Sequence, residues 1–594
     1  MCGIYGIVNL KPDDFISSDV LQGMSRLLRH RGPDDTGIFI DKNVGLGNNR
    51  LSIIDIEGGY QPIFNETRSL CTVYNGEIYN YKSLREELRK QGHVFATNTD
   101  SEIVVHAYEE WGYECVKKFR GMFAFALWDS VNQKLFMARD RMGIKPFYYI
   151  KTDQYFAFAS EAKAFKALNN HGFAFQLNEI AADLFLKYSR VPDNEICMFA
   201  GIKKLLPGYT LVLQNNELSF SKFWSLEVSK DASNLSHQAA VELVDEKLRD
   251  SVESELVSDV SVGVLLSGGV DSSSVAALYQ SVSTERIPTF TIGFNHKLDE
   301  RMYAKLVSQH LNTEHHEFEV DSKEVLSRFD EMVWYLDDLT SGDPGFFSTY
   351  LLSERVKDVG VKVVLVGEGS DEIFGGYPRF SLASFPFSIL PLYASTLAYN
   401  TLLKSHLLPR LNDYKEIQSL YKILKPVYSK HKDIFRCITN YEINYKLPNH
   451  FLRKVDLATM AHSVEARVPF LDYKLVEFVY SLPMQYKSSS RFFSLRNTDT
   501  KHLLRQTMSK YLPAVIVDRN KMGFLLNIPD VLKKGDKMVK EYILDERSSA
   551  RIFYPRSDLE RLFTAGSNRF VDAERSFMLW KLFLLSAWYR VYMC

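Results

Sequence analysis

The sequence has almost no net charge. It contains 72 lysine and arginine residues against 73 aspartate and glutamate residues, which gives a formal net charge of −1. Proteins that bind nucleic acid usually carry a basic patch or stripe, and binding to anionic membranes requires clusters of lysine and arginine. We therefore expect neither nucleic acid nor a membrane among the partners of this chain.

Paired cysteines are missing as well. The six cysteines are scattered and form no C-x-x-C pair; they are Cys2, Cys71, Cys115, Cys197, Cys437 and Cys594. Metal sites and disulfide frameworks that depend on cysteine show characteristic spacings. The scatter argues against a zinc site or a disulfide framework and predicts a reducing compartment, so we expect a cytoplasmic protein.

Long uninterrupted apolar runs are rare, and two stretches have to be weighed as membrane-spanning segments. Residues 380–403 carry no charge, and a segment of this length can cross a bilayer of roughly 30 Å. Because Pro386, Pro391 and many hydroxyl residues lower its hydrophobicity, we predict a buried helical hairpin or loop. Lys581 and Arg590 interrupt the aromatic segment at residues 577–594, which we predict to be a packed terminal helix.

The chain is too long for a single core and changes character after its first third. The first part contains paired β-runs joined by polar loops, such as FAFALWD and QKLFMARD, with short amphipathic stretches between them. This pattern indicates an α+β domain of antiparallel sheets. The polar segment SKDASNLS has little to bury, so we place the boundary there and predict domains at residues 1–228 and 229–594.

The second part alternates strands with helices. The apolar run VSVGVLL is followed by a glycine turn and a helix, further strand–helix pairs come next, and the pattern beyond roughly Pro378 is mostly helical. Such alternation is typical of a doubly wound parallel sheet, which binds ligands at the carboxyl ends of its strands. We predict an α/β domain of this type with a helical C-terminal extension.

The most specific string in the chain is SGGVDS, residues 267–272, at the end of a buried strand. Its glycines allow backbone amides to close around an anion, and the following helix adds its positive N-terminal dipole. Asp271 would repel a phosphate unless it held Mg²⁺. An ordinary strand–turn–helix is the alternative, but the string resembles the pyrophosphate loop of ATP pyrophosphatases, which split ATP between its α and β phosphates.

A second glycine loop supports this interpretation. The string VVLVGEGSDEIFGGY ends another buried strand and places Glu368, Asp371 and Glu372 among glycines. Two acidic loops at one sheet edge suit a magnesium-bridged pyrophosphate, with Asp271 and Asp371 as candidate ligands of the metal. A solvated acidic turn is the alternative for the second loop.

Cys2 follows the initiator methionine directly. With Met1 removed, this residue carries a thiol and an α-amine whose pKa lies at about 7.7–8.0, so nucleophile and base occupy one residue. Buried or palmitoylated thiols are the competing interpretations of a cysteine considered alone.

Three further stretches favour a catalytic thiol. RHRGPDDTG and NRLSIID supply guanidinium groups, and Arg50 can clamp an α-carboxylate bidentately. Asn75 and the Gly76 N–H would form a two-donor oxyanion hole, with Glu77 and Asp100 available to an ammonium group. Each fragment alone could be a turn or a surface charge, but together they predict glutamine as the substrate of this half.

Taken as a whole, the chain resembles the glutamine-hydrolysing asparagine synthetase family of class II amidotransferases over nearly its full length. The motifs that carry the resemblance occur in order: MCGIYGIV, RHRGPDDTG, RLSIID, YNGEIYN, GMFAFALWD, RDRMGIKPFYY, FASEAKA, LLSGGVDSS, GEGSDEIFGGY and VEARVPFLD. The resemblance implies an α+β N-terminal nucleophile sandwich, followed by the doubly wound α/β domain and its helical extension.

The resemblance also implies roles for individual residues. Cys2 would be the nucleophile, Asn75 and Gly76 would assist it, and Glu368 would act in forming or processing an acyl-adenylate. Lys521, in RNKMGF, would stabilise charge on the phosphates and on the adduct formed by ammonia, with a snorkelling surface lysine as the alternative. The implied glutamine contacts are Arg50, Leu51, Ser52, Ile53, Ile54, Asn75, Gly76, Glu77 and Asp100. With the loop residues included, the implied ATP contacts are Leu266, Ser267, Gly268, Gly269, Asp271, Ser272, Ile292, Val366 and Gly367.

The implied activity is that of a ligase of asparagine biosynthesis that uses ATP and Mg²⁺ to amidate aspartate with ammonia from glutamine. We expect only small-molecule substrates as partners, and whether the chain forms a homodimer is left open. VEARVPFLD brings Glu465 and Arg467, which we interpret as a structural ion pair beside the site.

The sequence departs from the family pattern at three places: Asn48 replaces a frequent histidine, Val366 replaces a frequent serine, and the run at residues 343–347 is unlike that of aspartate-specific members. A related enzyme that amidates a sugar acid or natural-product intermediate is therefore the alternative. Rivals of other classes are a tRNA-modifying pyrophosphatase and a non-catalytic sensor of glutamine or nucleotide.

Overall fold

The structure is a computed structural model that describes residues 2–11, 15–229, 232–294, 299–377, 379–380, 414–488, 500–519, 526–564 and 569–594. Within these residues the chain forms two six-stranded antiparallel sheets followed by one five-stranded parallel sheet. Helices predominate after the parallel sheet. The predicted fold class is confirmed by this order of sheets and helices.

Twelve strands build the two antiparallel sheets. They are β1 (Cys2–Asn9), β2 (Asp35–Asp41), β3 (Val44–Arg50), β4 (Ile63–Phe64), β5 (Leu70–Ile78), β6 (Gly121–Asp129), β7 (Lys134–Arg139), β8 (Tyr148–Lys151), β9 (Tyr155–Ala159), β10 (Lys203–Lys204), β11 (Tyr209–Gln214) and β12 (Glu217–Lys222). One sheet has the order β10-β8-β9-β1-β3-β2, and the other has the order β12-β11-β7-β6-β5-β4. Cys2 and Asn75 thus belong to different sheets.

The two sheets pack face to face. Alternate residues of β6, Ala124, Ala126 and Trp128, enter one core cluster together with residues of the other sheet such as Ile4 and Val44. The residues between them in β6 face a second core cluster that includes the flanking helices. Because side chains alternate across a strand, a strand covered on both faces is apolar throughout, which explains the run FAFALWD.

The helical segments of this part lie between and beside the strands. They are Ser18–Leu28, Arg29–Arg31, Tyr81–Lys90, Ile103–Trp111, Gly112–Glu114, Cys115–Lys118, Ala162–His171 and Glu179–Tyr188. The first of these is capped by Ser17, whose side chain accepts a hydrogen bond from the Asp19 N–H, as expected for a serine N-cap.

The parallel sheet contains β13 (Val262–Leu265), β14 (Pro288–Gly293), β15 (Glu314–Glu319), β16 (Val363–Leu365) and β17 (Glu465–Arg467). Its order is β15-β14-β13-β16-β17, so the chain moves outward from β13 in one direction and then resumes on the other side with β16. A ligand crevice is expected where the order reverses, at the carboxyl ends of β13 and β16. The SGGVDS and GEGSDE loops follow these two strands.

Helices surround this sheet and continue to the C-terminus. Those up to the second loop are Ala232–Asn234, His237–Glu255, Val270–Val282, Arg301–Leu311, Ser322–Ser327, Phe329–Leu336, Gly345–Asp358 and Ser370–Phe374. Those that follow are Tyr414–His431, Ile434–Tyr441, Glu442–Lys446, Leu447–Asn449, Phe451–Met460, Pro469–Leu471, Tyr473–Ser481, Met484–Lys487, His502–Met508, Ala514–Val517, Ile528–Lys534, Asp536–Leu544, Ala550–Phe553, Arg556–Thr564 and Arg569–Met593.

The last helix is packed into the protein, as the sequence predicted. Trp580 and Trp588 are almost completely buried, and their indole N–H groups donate to the carbonyl oxygens of Gly342 and Asp337 at 3.0 and 2.5 Å. Among the described residues, no helix combines the length and the apolarity that crossing a membrane requires. The predicted hairpin or loop at residues 380–403 lies, apart from its first residue, outside the described part of the chain.

Buried ion pairs join the two parts of the chain. Arg31, fully buried, contacts Asp456 at 2.9 Å, and Arg120 contacts Asp472 at 2.5 Å. After the predicted boundary, Ser236 caps the helix that begins at His237. The division at residues 1–228 and 229–594 stays a prediction.

Candidate active sites

Cys2 begins β1 and is buried between the two antiparallel sheets. It pairs with Arg50 of β3, and its backbone N–H donates to Oδ1 of Asn75 at 3.0 Å. The amide Nε2 of Gln61 donates to the Cys2 sulfur at 3.7 Å. Only 5 % of Cys2 is exposed, so the thiol lies in a site from which bulk water is largely excluded.

Asn75 is arranged to donate a hydrogen bond beside the thiol. Its Oδ1 is used by Cys2, while its fully buried Nδ2 has no hydrogen-bond partner among the described residues. Gly76 has φ of 157°, and a Cβ atom there would lie 2.1 Å from the carbonyl oxygen of Met122, so a larger residue does not fit. An unpaired buried amide is what an oxyanion hole requires, because the negative charge arrives only during reaction.

Arg50 has local partners. Its guanidinium donates to the carbonyl oxygens of Ile54, Asp55 and Ile56 at 3.1, 2.6 and 3.2 Å. It therefore holds the following loop in a bend, which brings Leu51, Ser52, Ile53 and Ile54 into buried positions. The role of Arg50 as a clamp for an α-carboxylate stays a prediction.

Glu77 and Asp100 are two buried carboxyl groups, and the charge of Asp100 acts on Glu77. Burial, together with the charges of Glu465 and Asp100, raises the pKa of Glu77 well above its usual range. Burial also raises the pKa of Asp100, whose Oδ2 accepts a hydrogen bond from the Ile78 N–H at 2.8 Å. An ammonium group between them would stabilise both charged forms, which fits the predicted contact with the glutamine α-amine.

Gln61 was missed by the sequence interpretation. Its Oε1 accepts from the Tyr74 N–H at 2.7 Å and from Nδ2 of Asn48 at 3.2 Å, which turns Nε2 towards Cys2. Asn48, noted above as a departure from the family pattern, thus helps to hold the side chain that contacts the thiol. No local pattern identifies Gln61, because its partners are distant in the sequence.

The second candidate site is a cavity of about 340 Å³ at the carboxyl ends of β13 and β16. Of the predicted ATP and metal residues, those that line it are Leu266, Ser267, Gly269, Asp271, Ser272, Val366, Gly367 and Asp371. Glu368 lines the cavity as well, whereas Gly268 and Ile292 are not among its lining residues. Lys521 lies outside the described residues, so its predicted role stays a prediction.

The SGGVDS loop turns sharply into the helix Val270–Val282. Gly268 has φ of 72°, and a Cβ atom there would lie 2.5 Å from the backbone nitrogen of Ala304. The Ser272 hydroxyl accepts from the Ser267 N–H at 3.1 Å and closes the turn. The helix is long enough, at 13 residues, for its N-terminus to contribute a positive dipole at the cavity.

The two glycine loops are in direct contact. A Cβ atom on Gly367 would lie 2.8 Å from the backbone nitrogen of Ser272, so the second loop requires glycine there. The Ser370 hydroxyl donates to Oδ1 of Asp271 at 2.7 Å. The loops therefore form one surface on the cavity, and a polyphosphate there would contact both.

Lys501 bridges the two carboxylates that were predicted to hold a metal. Its Nζ lies 2.6 Å from both carboxylate oxygens of Asp271 and 2.6 Å from Oδ1 of Asp371. Burial opposes the charge, but the two aspartates outweigh burial and raise the pKa of Lys501. Because oxygens of both aspartates converge on one cationic atom, and Mg²⁺ prefers carboxylate oxygen ligands, this donor set fits the metal.

Glu368 is linked through Lys454 to a third residue of the cavity lining, Asp343. Lys454 Nζ lies 3.7 Å from Glu368 Oε1 and 3.6 Å from Asp343 Oδ2, and all three residues line the cavity. Burial raises the pKa of Glu368. Asp343, from the run that departs from aspartate-specific members, thus reaches the same cavity as the phosphate loops.

Glu465 and Arg467 form the ion pair that the sequence predicted. The Arg467 Nε donates to Glu465 Oε1 at 2.6 Å, and both residues are fully buried. Arg467 also lies 3.5 Å from Oε1 of Glu77 in the other candidate site, and its backbone oxygen accepts from the Val366 N–H at 2.9 Å. One residue therefore connects the candidate site at Cys2 to the strand that carries the second glycine loop.

Comparison with known proteins agrees with this two-site arrangement. A family model described as "Glutamine amidotransferase domain" matches residues 1–224, and one described as "Asparagine synthase" matches residues 243–590. "Asparagine synthetase [glutamine-hydrolyzing] 1" of Bacillus subtilis (strain 168) is 29% identical over 100% of this chain and 97% of its own length.

Two other relatives give similar values. "Asparagine synthetase [glutamine-hydrolyzing] 3" of the same strain is 31% identical over 96% of this chain and 94% of its own length. "Asparagine synthetase B [glutamine-hydrolyzing]" of Escherichia coli (strain K12) is 30% identical over 88% of this chain and 82% of its own. With both of its parts matched in order, the chain belongs to the asparagine synthase family.

Proposed function

We propose that the protein is a glutamine-dependent asparagine synthetase. It hydrolyses glutamine, adenylates aspartate with ATP, and forms asparagine, glutamate, AMP and pyrophosphate. The observation that carries the proposal is the presence in one chain of two complementary sites: a thiol beside an unpaired amide, and a cavity lined by two acidic glycine loops. Neither site alone accounts for an amide synthesis that consumes glutamine.

The first step takes place at Cys2. Once Met1 is removed, the α-amine accepts the thiol proton, and the sulfur attacks the side-chain carbonyl of glutamine. Asn75 Nδ2 and the Gly76 N–H donate to the resulting oxyanion. The C–N bond breaks, the leaving nitrogen takes the proton and departs as ammonia, and water then hydrolyses the thioester to glutamate.

The second step takes place in the cavity. The aspartate side-chain carboxylate attacks the α-phosphorus of ATP, so that a C–O–P bond forms and pyrophosphate leaves. The backbone amides of the SGGVDS loop and Lys501 would hold the phosphates. Asp271 and Asp371 would hold Mg²⁺, which neutralises phosphate charge when it is bound.

Ammonia completes the synthesis. Its nitrogen attacks the acyl carbon, the C–O bond to AMP breaks and AMP leaves, and one proton has to be removed from the attacking nitrogen. Glu368 is the group we assign to accept that proton, because burial raises the pKa of its carboxyl and makes it a stronger base than an exposed glutamate.

Aspartate is the acceptor that we propose. The relatives that match nearly the full chain are named asparagine synthetases, which supports aspartate over a sugar acid or natural-product intermediate. Lys454, held between Glu368 and Asp343, is the cation that we assign to the α-carboxylate of aspartate.

The setting of the enzyme is part of the proposal. All six cysteines are free thiols, which supports a reducing compartment and the cytoplasm. A homodimer also stays a prediction. Without an excess of positive charge, we propose no nucleic-acid partner.

The test is glutamine-dependent release of pyrophosphate with a panel of carboxylic acids. We expect release with aspartate, together with equal amounts of asparagine and AMP. Release with another carboxylate and none with aspartate would contradict the proposed acceptor. Release stimulated by tRNA and independent of any carboxylate would support the tRNA-modifying alternative.

A further inference from the structure

A cluster of histidine and glutamate side chains lies outside both candidate sites. Glu66 follows β4, His93 follows the helix Tyr81–Lys90, and His106 and Glu109 lie on the helix Ile103–Trp111. One nitrogen or oxygen from each of these four residues lies within 4.8 Å of every other. We propose that this cluster, which we call the His–Glu cluster, binds one Zn²⁺ ion.

The separations suit a tetrahedral metal. His106 Nδ1 lies 3.5 Å from Glu66 Oε2, and His93 Nδ1 lies 3.7 Å from Glu66 Oε1 and 3.8 Å from Glu109 Oε2. Ligands at about 2.0–2.1 Å from a tetrahedral zinc ion are separated by roughly 3.3 Å. The three measured separations exceed this value by only a few tenths of an ångström, and closure of the remaining pairs from within 4.8 Å would complete the coordination.

His106 supplies an independent reason to expect a ligand. The residue is completely buried, and its Nδ1 makes no hydrogen bond with any described residue although it points towards Glu66. Its other nitrogen, Nε2, lies 3.4 Å from Oε1 of Glu102. A carboxylate on the outer nitrogen of a histidine is the arrangement that orients metal-binding imidazoles.

The remaining ligands are held in a similar way. His93 Nε2 lies 3.6 Å from Glu110 Oε2, the Val94 N–H donates to Glu66 Oε1 at 2.6 Å, and Asn65 Nδ2 donates to Glu109 Oε2 at 3.2 Å. The carboxylates also leave an excess of negative charge. Within the described residues, no lysine or arginine lies within ion-pair distance of Glu66, Glu109 or Glu110.

Imidazole and carboxylate together favour zinc among the common divalent ions, since magnesium and calcium prefer oxygen ligands alone. The expectation against a zinc site concerned cysteine spacing and does not apply to this donor set. Glu66 and Glu109 are partly exposed, at 32% and 38%, so an ion can reach the cluster from solvent. A bound ion would tie together three segments that are separate in the sequence.

The experiment is calorimetric titration of the full chain with ZnCl₂ after treatment with a chelator and its removal. The variants are His93→Ala and Glu109→Gln, whose side chains reach the surface, so both are expected to fold. His171→Ala is the matched control, because His171 is exposed and lies outside the cluster. Zinc bound by Cys2 or by the phosphate loops would be bound equally by the wild-type chain and by the three variants, so it does not contribute to the difference between them.

We expect the wild-type chain and H171A to bind one equivalent more than H93A, and E109Q to bind that equivalent roughly tenfold or more weakly. Zinc should also raise the unfolding temperature of the wild-type chain but not of H93A. Equal stoichiometry and affinity in the wild-type chain and H93A would overturn the proposal. Because binding and unfolding are measured without glutamine or ATP, this result is independent of the proposed synthesis.

Discussion

The Asn75 side chain is the most direct probe of the first reaction. Replacing it by alanine removes the buried Nδ2 donor, which has no hydrogen-bond partner among the described residues of the free protein. Its loss therefore costs little before the reaction and falls on the oxyanion. Removal of one such donor typically costs about 10²–10³ in kcat, which corresponds to about 2.7–4 kcal/mol.

The assay separates this effect from a general loss of folding. Asn75→Ala should lower glutamine hydrolysis by about 10²–10³, while synthesis driven by added ammonium stays close to wild type. Asn75→Asp keeps an acceptor for the Cys2 N–H but replaces the donor by a negative oxygen, so it should be at least as slow. Asn43→Ala is the control. Asn43 directly precedes Val44 at the start of β3, whereas Arg50, which pairs with Cys2, is at the other end of that strand. Its side chain donates to the Asn9 carbonyl oxygen and takes no part in the candidate site.

The reasoning would be refuted if N75A hydrolysed glutamine within about threefold of wild type, which is under 1 kcal/mol. Equal losses of glutamine hydrolysis and ammonia-driven synthesis would also contradict it, because Asn75 is assigned to the first site alone.

Three further predictions concern the second site and the link between the sites. Lys501→Met should slow aspartate-dependent pyrophosphate release by roughly tenfold or more while leaving glutamine hydrolysis intact, because the variant removes a cation from the phosphate loops. A pyrophosphate assay measures the rate of release, and an unchanged rate would contradict the role of Lys501. At a constant concentration of free NH₃, ammonia-driven synthesis should fall as pH drops through the raised pKa of Glu368, above the ordinary value of about 4.3, since a protonated carboxyl accepts no proton. A pH–rate profile at constant free NH₃ in which Glu368→Gln retained this limb would exclude the role. Arg467→Met leaves the buried carboxyl groups of Glu77 and Glu465 without this partner and should lower the free energy of unfolding by about 3–5 kcal/mol. Lys362→Met, which removes a half-exposed partner of Asp34, should lower it by about 1 kcal/mol or less. Denaturant titration compares the two variants, and equal losses would contradict the assignment of Arg467 as a buried ion-pair partner.

The backbone turns of both candidate sites could be predicted from the sequence, because glycine is required wherever a side chain would collide with neighbouring backbone. Gly76, Gly268 and Gly367 stand where a Cβ atom would collide with neighbouring backbone, and each lies in a motif that was identified from the sequence. Alternating strands and helices likewise specify a parallel sheet, and its reversal at β13 brings the two loops together.

The side chains that complete the sites were less accessible to sequence reasoning. Lys501 lies 230 residues beyond Asp271, and only the fold brings its ammonium between the two aspartates. Gln61 reaches Cys2 from the loop between β3 and β4, in a stretch with no motif of its own. Arg467 was interpreted as half of a local ion pair, and its contact with Glu77 depends on how the two parts of the chain pack.

Arg50 shows what the sequence left out. Its charge predicted a substrate clamp, which stays a prediction, and its guanidinium also donates to three carbonyl oxygens of the loop that follows it. A sequence identifies the residue type that a carboxylate would need, whereas the competing backbone acceptors become visible only in three dimensions.

The central claim is that ammonia released at Cys2 is consumed in the cavity of the same chain. It is tested most directly by supplying glutamine labelled with ¹⁵N in its side-chain amide, together with aspartate and ATP, to the wild-type enzyme and to Cys2→Ala. The account predicts labelled asparagine from the wild-type enzyme, none from C2A, and unlabelled asparagine from C2A once ammonium is added. Labelled asparagine formed by C2A at the wild-type rate would contradict it.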